Sequence, residues 1–274
     1  MTATITVDGR EVTYSESGNG RAAPLVLVHG FTGSKEDFDP VLAGLADLRR
    51  VIAVDLPGHG GSAGADDPAA YGLGATGAWI LRFADELGLE DFHLLGHSMG
   101  GLAVQRTAAV ASQRLRSLIL MSTGLGALRE EAGDHIVRVA LAARDQGMQA
   151  AFVEGMRREP PKVVLPADPA RQEFVRRRFL ALSPATIVGG ARNLIGAAPL
   201  GAFLYGIDIP VLVVSGEYDD AWTPQEQSLL ARTVAGARHI VVPGAAHSPQ
   251  LENREYWLKA VREFLGEVDG DTSS

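Results

Sequence analysis

Residues 94–103 read LLGHSMGGLA, a serine with a glycine two positions to either side, set between an apolar run and a stretch able to open a helix. A chain with 32 glycines among 274 residues produces G-x-S-x-G patterns by accident, so the surroundings must decide what this one means. Phe92 to Leu95 is a short run of the kind buried on both faces of a sheet, and Met99 to Ala111 has helical character. Ser98 therefore falls on a turn from strand to helix. Such a turn holds the serine in strained φ/ψ, and side chains two residues before and after would collide with it or with the adjacent strand. Gly96 and Gly100 remove those side chains, and Gly101 permits close packing of the helix. The helix start also brings partial positive charge and a free N–H, that of Met99, beside any oxyanion formed at Ser98.

The same texture repeats outward from this stretch. Leu25 to Val28, Val51 to Val54, Leu118 to Met121, Val211 to Val214 and His239 to Val242 read as further strands, with helices at Glu36 to Leu48, Gly77 to Leu87, Thr223 to Val234 and Tyr256 to Leu265. Alternating segments Thr4 to Asp8 and Glu11 to Glu16 flank Gly9 as an opening hairpin. Strands alternating with helices predict an α/β fold, a mostly parallel sheet covered on both faces, whose sites form outside the carboxyl ends of the strands. Between Gly126 and Gly206 the alternation stops, and helical segments are separated by PP, LPADP and LSP. That segment holds eleven Lys and Arg against eight Asp and Glu, or +3, in a chain of net charge −8. The expected organisation is a core of residues 1–125 and 207–266, a helical lid of 126–206 and a flexible tail of 267–274. Arg176 to Arg178 read as a solvated helix face, with a lid arginine meeting an anionic substrate group as the sharper alternative.

A serine hydroxyl is a weak nucleophile without a base, and the base must be oriented by a third group. After the strand ending near Val214 comes SGEYDDAWTP, carrying Asp219 and Asp220. After the strand ending near Val242 comes PGAAHSPQLEN, carrying His247. Both loops lie on the edge that carries Ser98, in the order Ser, Asp, His. His29 and His59 sit in neighbouring loops, His97 is expected to point away from the site, and Trp79, Trp222 and Trp257 to serve packing.

Other chemistries find little footing. The net charge of −8 disfavours nucleic acid, which attracts dense positive charge. The chain has no cysteine, so thiolate nucleophiles, disulfides and sulfur-bound zinc are excluded. Gly72 to Gly77 form a G-x-G-x-x-G, but the polar loop AGADDPAAY precedes it where a dinucleotide site needs a strand. No P-loop lysine, H-E-x-x-H pair or EF-hand loop is found, and no metal site is expected. No apolar run approaches the roughly 20 residues that span a bilayer, and the alternating N-terminus lacks a signal-like apolar stretch. The expected partner is a small molecule, neither nucleic acid nor membrane, in a cytoplasmic setting; oligomeric state leaves no trace in the sequence.

Taken together, VLVHGF at 26–31, DLPGHGGS at 55–62, GHSMGG at 96–101, GEYD at 216–219 and GAAHSP at 244–249 resemble the α/β-hydrolase superfamily, in its serine-nucleophile, cap-bearing branch, over almost the whole chain. The resemblance implies an eight-stranded, mostly parallel sheet, a helical cap after the sixth strand, and a Ser98, His247, Asp219 triad that needs no cofactor. It also implies an oxyanion hole formed by the backbone N–H groups of Phe31 and Met99. Pro224 falls five residues after Asp219 where the family more commonly has four, which keeps Asp220 open as the orienting acid. The expected activity is cleavage of a small ester, lactone or thioester through an acyl-enzyme on Ser98. Relatives that open epoxides or remove halide carry aspartate where Ser98 stands. A carbon–carbon bond hydrolase or a synthase of the same fold acting on an anionic substrate is the alternative, although the tryptophan common after the histidine in the former is missing from HSPQLEN. A ligand receptor that retains the triad with little turnover is the alternative of another class.

Overall fold

Strands β1 (Thr2–Val7) and β2 (Arg10–Ser17) alternate apolar and polar residues and pair antiparallel through Asp8 and Gly9. Both turn residues take positive φ, 53° and 74°, as a two-residue hairpin requires. The computed structural model, which describes residues 1–157, 163, 166 and 168–270, then alternates strand and helix. In order come β3 (Ala22–Val28), a 3₁₀ turn at Lys35–Phe38, α1 (Asp39–Leu45), β4 (Arg49–Val54), α2 (Leu73–Glu86), β5 (Phe92–His97), α3 (Met99–Ala111) and β6 (Leu115–Met121). The helices α4 (Glu130–Gln146), α5 (Met148–Gly155), α6 (Pro169–Leu180), α7 (Pro184–Gly196) and α8 (Gly201–Tyr205) follow, with no strand among their described residues. The chain closes with β7 (Val211–Gly216), α9 (Pro224–Thr233), β8 (Arg238–Val242), α10 (Pro249–Glu252) and α11 (Arg254–Gly270).

The eight strands form one sheet in the order β1-β2-β4-β3-β5-β6-β7-β8. Only the β1–β2 and β2–β4 pairings are antiparallel. The inner strands are mostly apolar because successive side chains serve opposite faces, both covered. Val26, Val28, Leu94 and Leu120 pack with Ile80, Phe83 and Leu102 of α2 and α3. Leu25, Leu27, Leu95 and Ile119 pack with Val41 and Leu45 of α1 and Trp257 and Phe264 of α11. The helices between β6 and β7 hold a small cluster of their own, including Val139, Ala151, Phe179 and Ile187, which meets Phe31 of the core.

Three expectations need correction. The helix expected over Glu36 to Leu48 is a 3₁₀ turn followed by α1, because Pro40 near the start of α1 has no N–H to continue an upstream helix. The helix expected from Gly77 begins earlier, at Leu73, so the G-x-G-x-x-G lies largely inside α2, where a Cβ on Gly77 would stand 2.8 Å from Cβ of Arg106; that glycine serves helix packing. The tail begins later than expected. Residues 267–270 extend α11, with Val268 buried and Asp269 paired to Arg49 at 2.8 Å and to His93 at 3.2 Å, while 271–274 lie outside the described residues. Among the described residues no helix is long and apolar enough to cross a membrane.

A buried carboxylate ties the edge of the sheet together. Asp55, fully buried after β4, accepts from Lys35 N at 2.7 Å, Lys35 Nζ at 2.8 Å, Thr13 Oγ1 at 2.5 Å and Gly61 N at 3.1 Å. Burial opposes its charge, but the hydrogen bonds from Lys35 and Thr13 hold it below the usual carboxylate range. Replacing Lys35 by Met leaves that carboxylate without its cation and should lower urea-unfolding stability by about 3–5 kcal/mol. Arg82→Met, which removes a pair to Asp8 roughly half exposed on each side, should cost less than about 1 kcal/mol. Similar losses from the two variants would contradict this account.

Candidate active site

Ser98 stands between β5 and α3 with φ 56° and ψ −122°, a conformation that L side chains avoid. The surrounding glycines admit it. A Cβ on Gly96 would lie 2.5 Å from Gly100 O, and one on Gly100 would lie 2.4 Å from His29 O. Across the gap, a Cβ on Gly30 would approach the Ser98 Cβ to 3.0 Å, so the loop after β3 runs directly against the serine.

The structure brings Ser98, His247 and Asp219 together. His247 Nε2 lies 3.0 Å from Ser98 Oγ and its Nδ1 lies 2.9 Å from Asp219 Oδ1. The carboxylate only accepts, so Nδ1 carries the proton and Nε2 offers its lone pair to the hydroxyl. Asp219 is 4% exposed and accepts further from Ala221 N at 3.1 Å and Gln227 Nε2 at 2.9 Å. Burial penalises its charge, yet His247 and these donors hold the carboxyl below its usual range. The Ala221 contact closes an Asx turn over Asp220. Asp220 is exposed, outside the hydrogen bonds that His247 makes to Ser98 and Asp219.

Hydrogen bonds and helix position orient the backbone at Phe31 and Met99, the two expected oxyanion donors. Gly30 O accepts from Gly33 N at 3.1 Å and from His29 Nδ1 at 2.8 Å, the His29 proton being fixed there because Nε2 accepts from Leu56 N at 3.0 Å. In a trans peptide the N–H points opposite to the C=O, so the Phe31 N–H is turned away from those donors. The Phe31 carbonyl meets His59 Nε2 at 2.8 Å, which holds the loop from its other side. Met99 is the first residue of α3, where the N–H has no intrahelical partner.

His97 departs from its expected bystander role. Its Nε2 lies 2.7 Å from the His247 carbonyl, so this nitrogen donates, and the two rings stand 5.0 Å apart. Burial, then the neighbouring His247, pull its pKa down to about 4. Gln227 and Trp222 are also site residues that local sequence does not mark: Gln227 braces Asp219, and Trp222 lines the cavity while donating to Gly126 O at 3.2 Å. That cavity, about 450 Å³, opens above Ser98 and is walled by Phe31, Leu128, Ile136, Val139 and Phe152 among others. Of the arginine run, Arg176 and Arg177 are exposed, whereas Arg178 turns inward to Asp37 at 2.6 Å. Among the described residues no cluster of His, Asp and Glu is arranged to hold a metal ion.

A serine on a strand-to-helix turn, gathered with a histidine and a carboxylate at the carboxyl edge of a doubly covered sheet, defines a hydrolase of the α/β type. The family described as alpha/beta hydrolase fold matches residues 23–254, and the chain belongs to it. The enol-lactonase of Burkholderia xenovorans LB400 superposes with a TM-score of 0.84 at 27% identity, over 96% of this chain and 100% of that one. A thermophilic esterase from Thermogutta terrifontis gives 0.84 at 28% identity, over 98% and 99%. The dihydrolipoyllysine-residue acetyltransferase component of the acetoin cleaving system of Pseudomonas putida is 33% identical over 94% of this chain and 68% of its own length.

Two outcomes follow from this geometry. Asp219→Asn should lower kcat by about 10⁴ through loss of the oriented imidazole, while Asp220→Asn should leave kcat within a few-fold; the reverse ranking would reassign the acid. The buried imidazoles also predict acid sensitivity. His29, pushed down to about 3 by burial and by His59, and His97, at about 4, stay neutral in the folded chain where the unfolded chain takes protons near pH 6.5. Both folded values are depressed, so the unfolded state binds more protons below pH 6.5 and stability falls from there toward pH 4. Urea midpoints measured at pH 7 and pH 4.5 should show this loss, with a shallower slope in His97→Phe; an unchanged midpoint would refute it.

Proposed function

We propose that the protein is a serine hydrolase that cleaves a small ester, lactone or thioester through an acyl-enzyme on Ser98. The observation that carries this reading is the His247 imidazole bridging Ser98 Oγ at 3.0 Å and Asp219 Oδ1 at 2.9 Å. The lactonase and esterase names of the structural neighbours support it, as does the largely apolar cavity above the serine.

In the proposed reaction Ser98 Oγ attacks the substrate carbonyl as its proton passes to His247 Nε2. The carbonyl π electrons move to oxygen, which the N–H groups of Phe31 and Met99 hold. Asp219 stabilises the imidazolium without taking its proton. Collapse of the adduct expels the alcohol or thiol, which receives the proton from His247 and leaves an acyl ester on Ser98. Water, deprotonated by the same imidazole, then attacks that ester and frees the acid and the serine. The helices α4 to α8 act as a lid that keeps bulk water off the acyl group.

Ser98→Ala should lower turnover of p-nitrophenyl esters and simple lactones by about 10⁵ to 10⁶ and abolish labelling by a fluorophosphonate. Near-normal turnover in that variant would end the proposal. A wild-type protein that is labelled at Ser98 yet hydrolyses no ester or lactone faster than water would instead be a receptor that retains the triad.

A further inference from the structure

Among the described residues two arginines line the cavity above Ser98, Arg171 and Arg178, both on α6. Their electrostatic situations differ. Arg178 donates to Asp37 Oδ1 at 2.6 Å and to Ser34 Oγ at 3.1 Å with its side chain 11% exposed. Asp37 lines the same cavity, so this pair adds no net charge to it. Arg171 lies seven residues earlier on the same helix, two turns away and so on the same face.

The Arg171 guanidinium makes neither an ion pair nor a side-chain hydrogen bond among the described residues; only its backbone N–H is engaged, to Asp168 Oδ1 at 3.1 Å. Among the described residues the remaining titratable side chains of the wall are His97, His135 and His247, and His97 stays neutral well below pH 7. A half-buried arginine thus lines a largely apolar chamber, and the one carboxylate lining it among the described residues, Asp37, is already paired. Taking a charge partly out of water without a partner is unfavourable, and the fork of a guanidinium matches a carboxylate in two parallel hydrogen bonds.

We infer that the acyl substrate carries a second functional group, a carboxylate, which Arg171 binds while the scissile carbonyl meets Ser98. The inference rests on the hydrolase reading above. It places the anion-binding residue outside the run Arg176 to Arg178, whose inward member is already committed to Asp37.

The test compares monomethyl adipate with dimethyl adipate, which has the same acyl chain but no charge, by methanol release counted per ester bond. The wild type should favour the monoester in kcat/KM by about tenfold at low ionic strength, the scale of one charge-assisted hydrogen bond, and less so in high salt. Arg171→Gln should bring the ratio near one through a raised KM for the monoester. Arg171→Lys should retain part of the preference, and Arg176→Gln, on the exposed face, all of it. Adipate should protect Ser98 from a fluorophosphonate in the wild type and not in Arg171→Gln, a readout independent of turnover. Equal use of both esters by the wild type, or parallel losses on both in Arg171→Gln with the ratio kept, would overturn the inference while leaving the hydrolase reading intact. A wild type that cleaves no ester and resists the fluorophosphonate would remove the hydrolase reading and this inference with it.

Discussion

The carboxyl edge of the sheet depends on one residue held in a backbone conformation that its side chain disfavours. At φ 56° and ψ −122°, Ser98 occupies a region that costs a non-glycine residue on the order of 1–3 kcal/mol. It is held from both ends. Its N–H donates to Met121 O at 2.9 Å across the sheet, and its carbonyl accepts from Gly101 N and Leu102 N as α3 begins. Ser122, at the end of β6, repeats the device with φ 50° and an N–H bonded to Val214 O at 2.8 Å. Yet Ser122 is fully buried and its hydroxyl meets no partner among the described residues. Strain alone therefore makes no site; at Ser98 it is joined by a cavity and an imidazole.

The imidazoles around Ser98 divide their work by charge. His29, His59 and His97 are buried, have pKa values pulled down by burial, and each faces a backbone carbonyl. As neutral rings they position the loop carrying Phe31 and the loop carrying His247 without adding positive charge beside His247. Had they been cations, a second positive charge near His247 would be opposed at close range in a low-dielectric setting. The charge that does face His247 is that of Asp219, kept ionised by its own donors. The arrangement concentrates the field on the one imidazole that touches the serine hydroxyl.

The strands were legible because burial on both faces writes itself as short apolar runs, and β1 and β2 because burial on one face writes alternation. Ser98, Asp219 and His247 were legible because each follows such a run, at the edge where this topology puts its sites. Spacing left Asp219 and Asp220 open, since the offset of Pro224 is absorbed by a turn over Asp220 whose shape depends on the Ala221 contact. Gln227 was invisible for a different reason: a glutamine one turn into a helix carries no local mark of the carboxylate it faces. The role of His97 rests on a contact to His247, 150 residues away in the chain, which nearest-neighbour reasoning on a tight turn could not reach. The last turn of α11 was hidden because Asp269, in a polar sequence, is held by Arg49 of β4 and His93 of β5, residues distant in the chain.

The arginine run shows why a charge cluster is a poor unit of reading in a helix. Successive residues turn by about 100°, so three adjacent arginines cannot share one environment, and Arg178 alone among them faces inward. The unit that matters is the pair Arg171 and Arg178, two turns apart on the cavity side of α6. Arg178 fastens that helix to Asp37, which lies in the same 3₁₀ turn as Lys35, the cation of the buried Asp55. One short turn thus joins a helix that lines the cavity to the buried ion pair after β4. With Arg178 held in that chain of contacts, Arg171 is the lining arginine left without a fixed anion among the described residues.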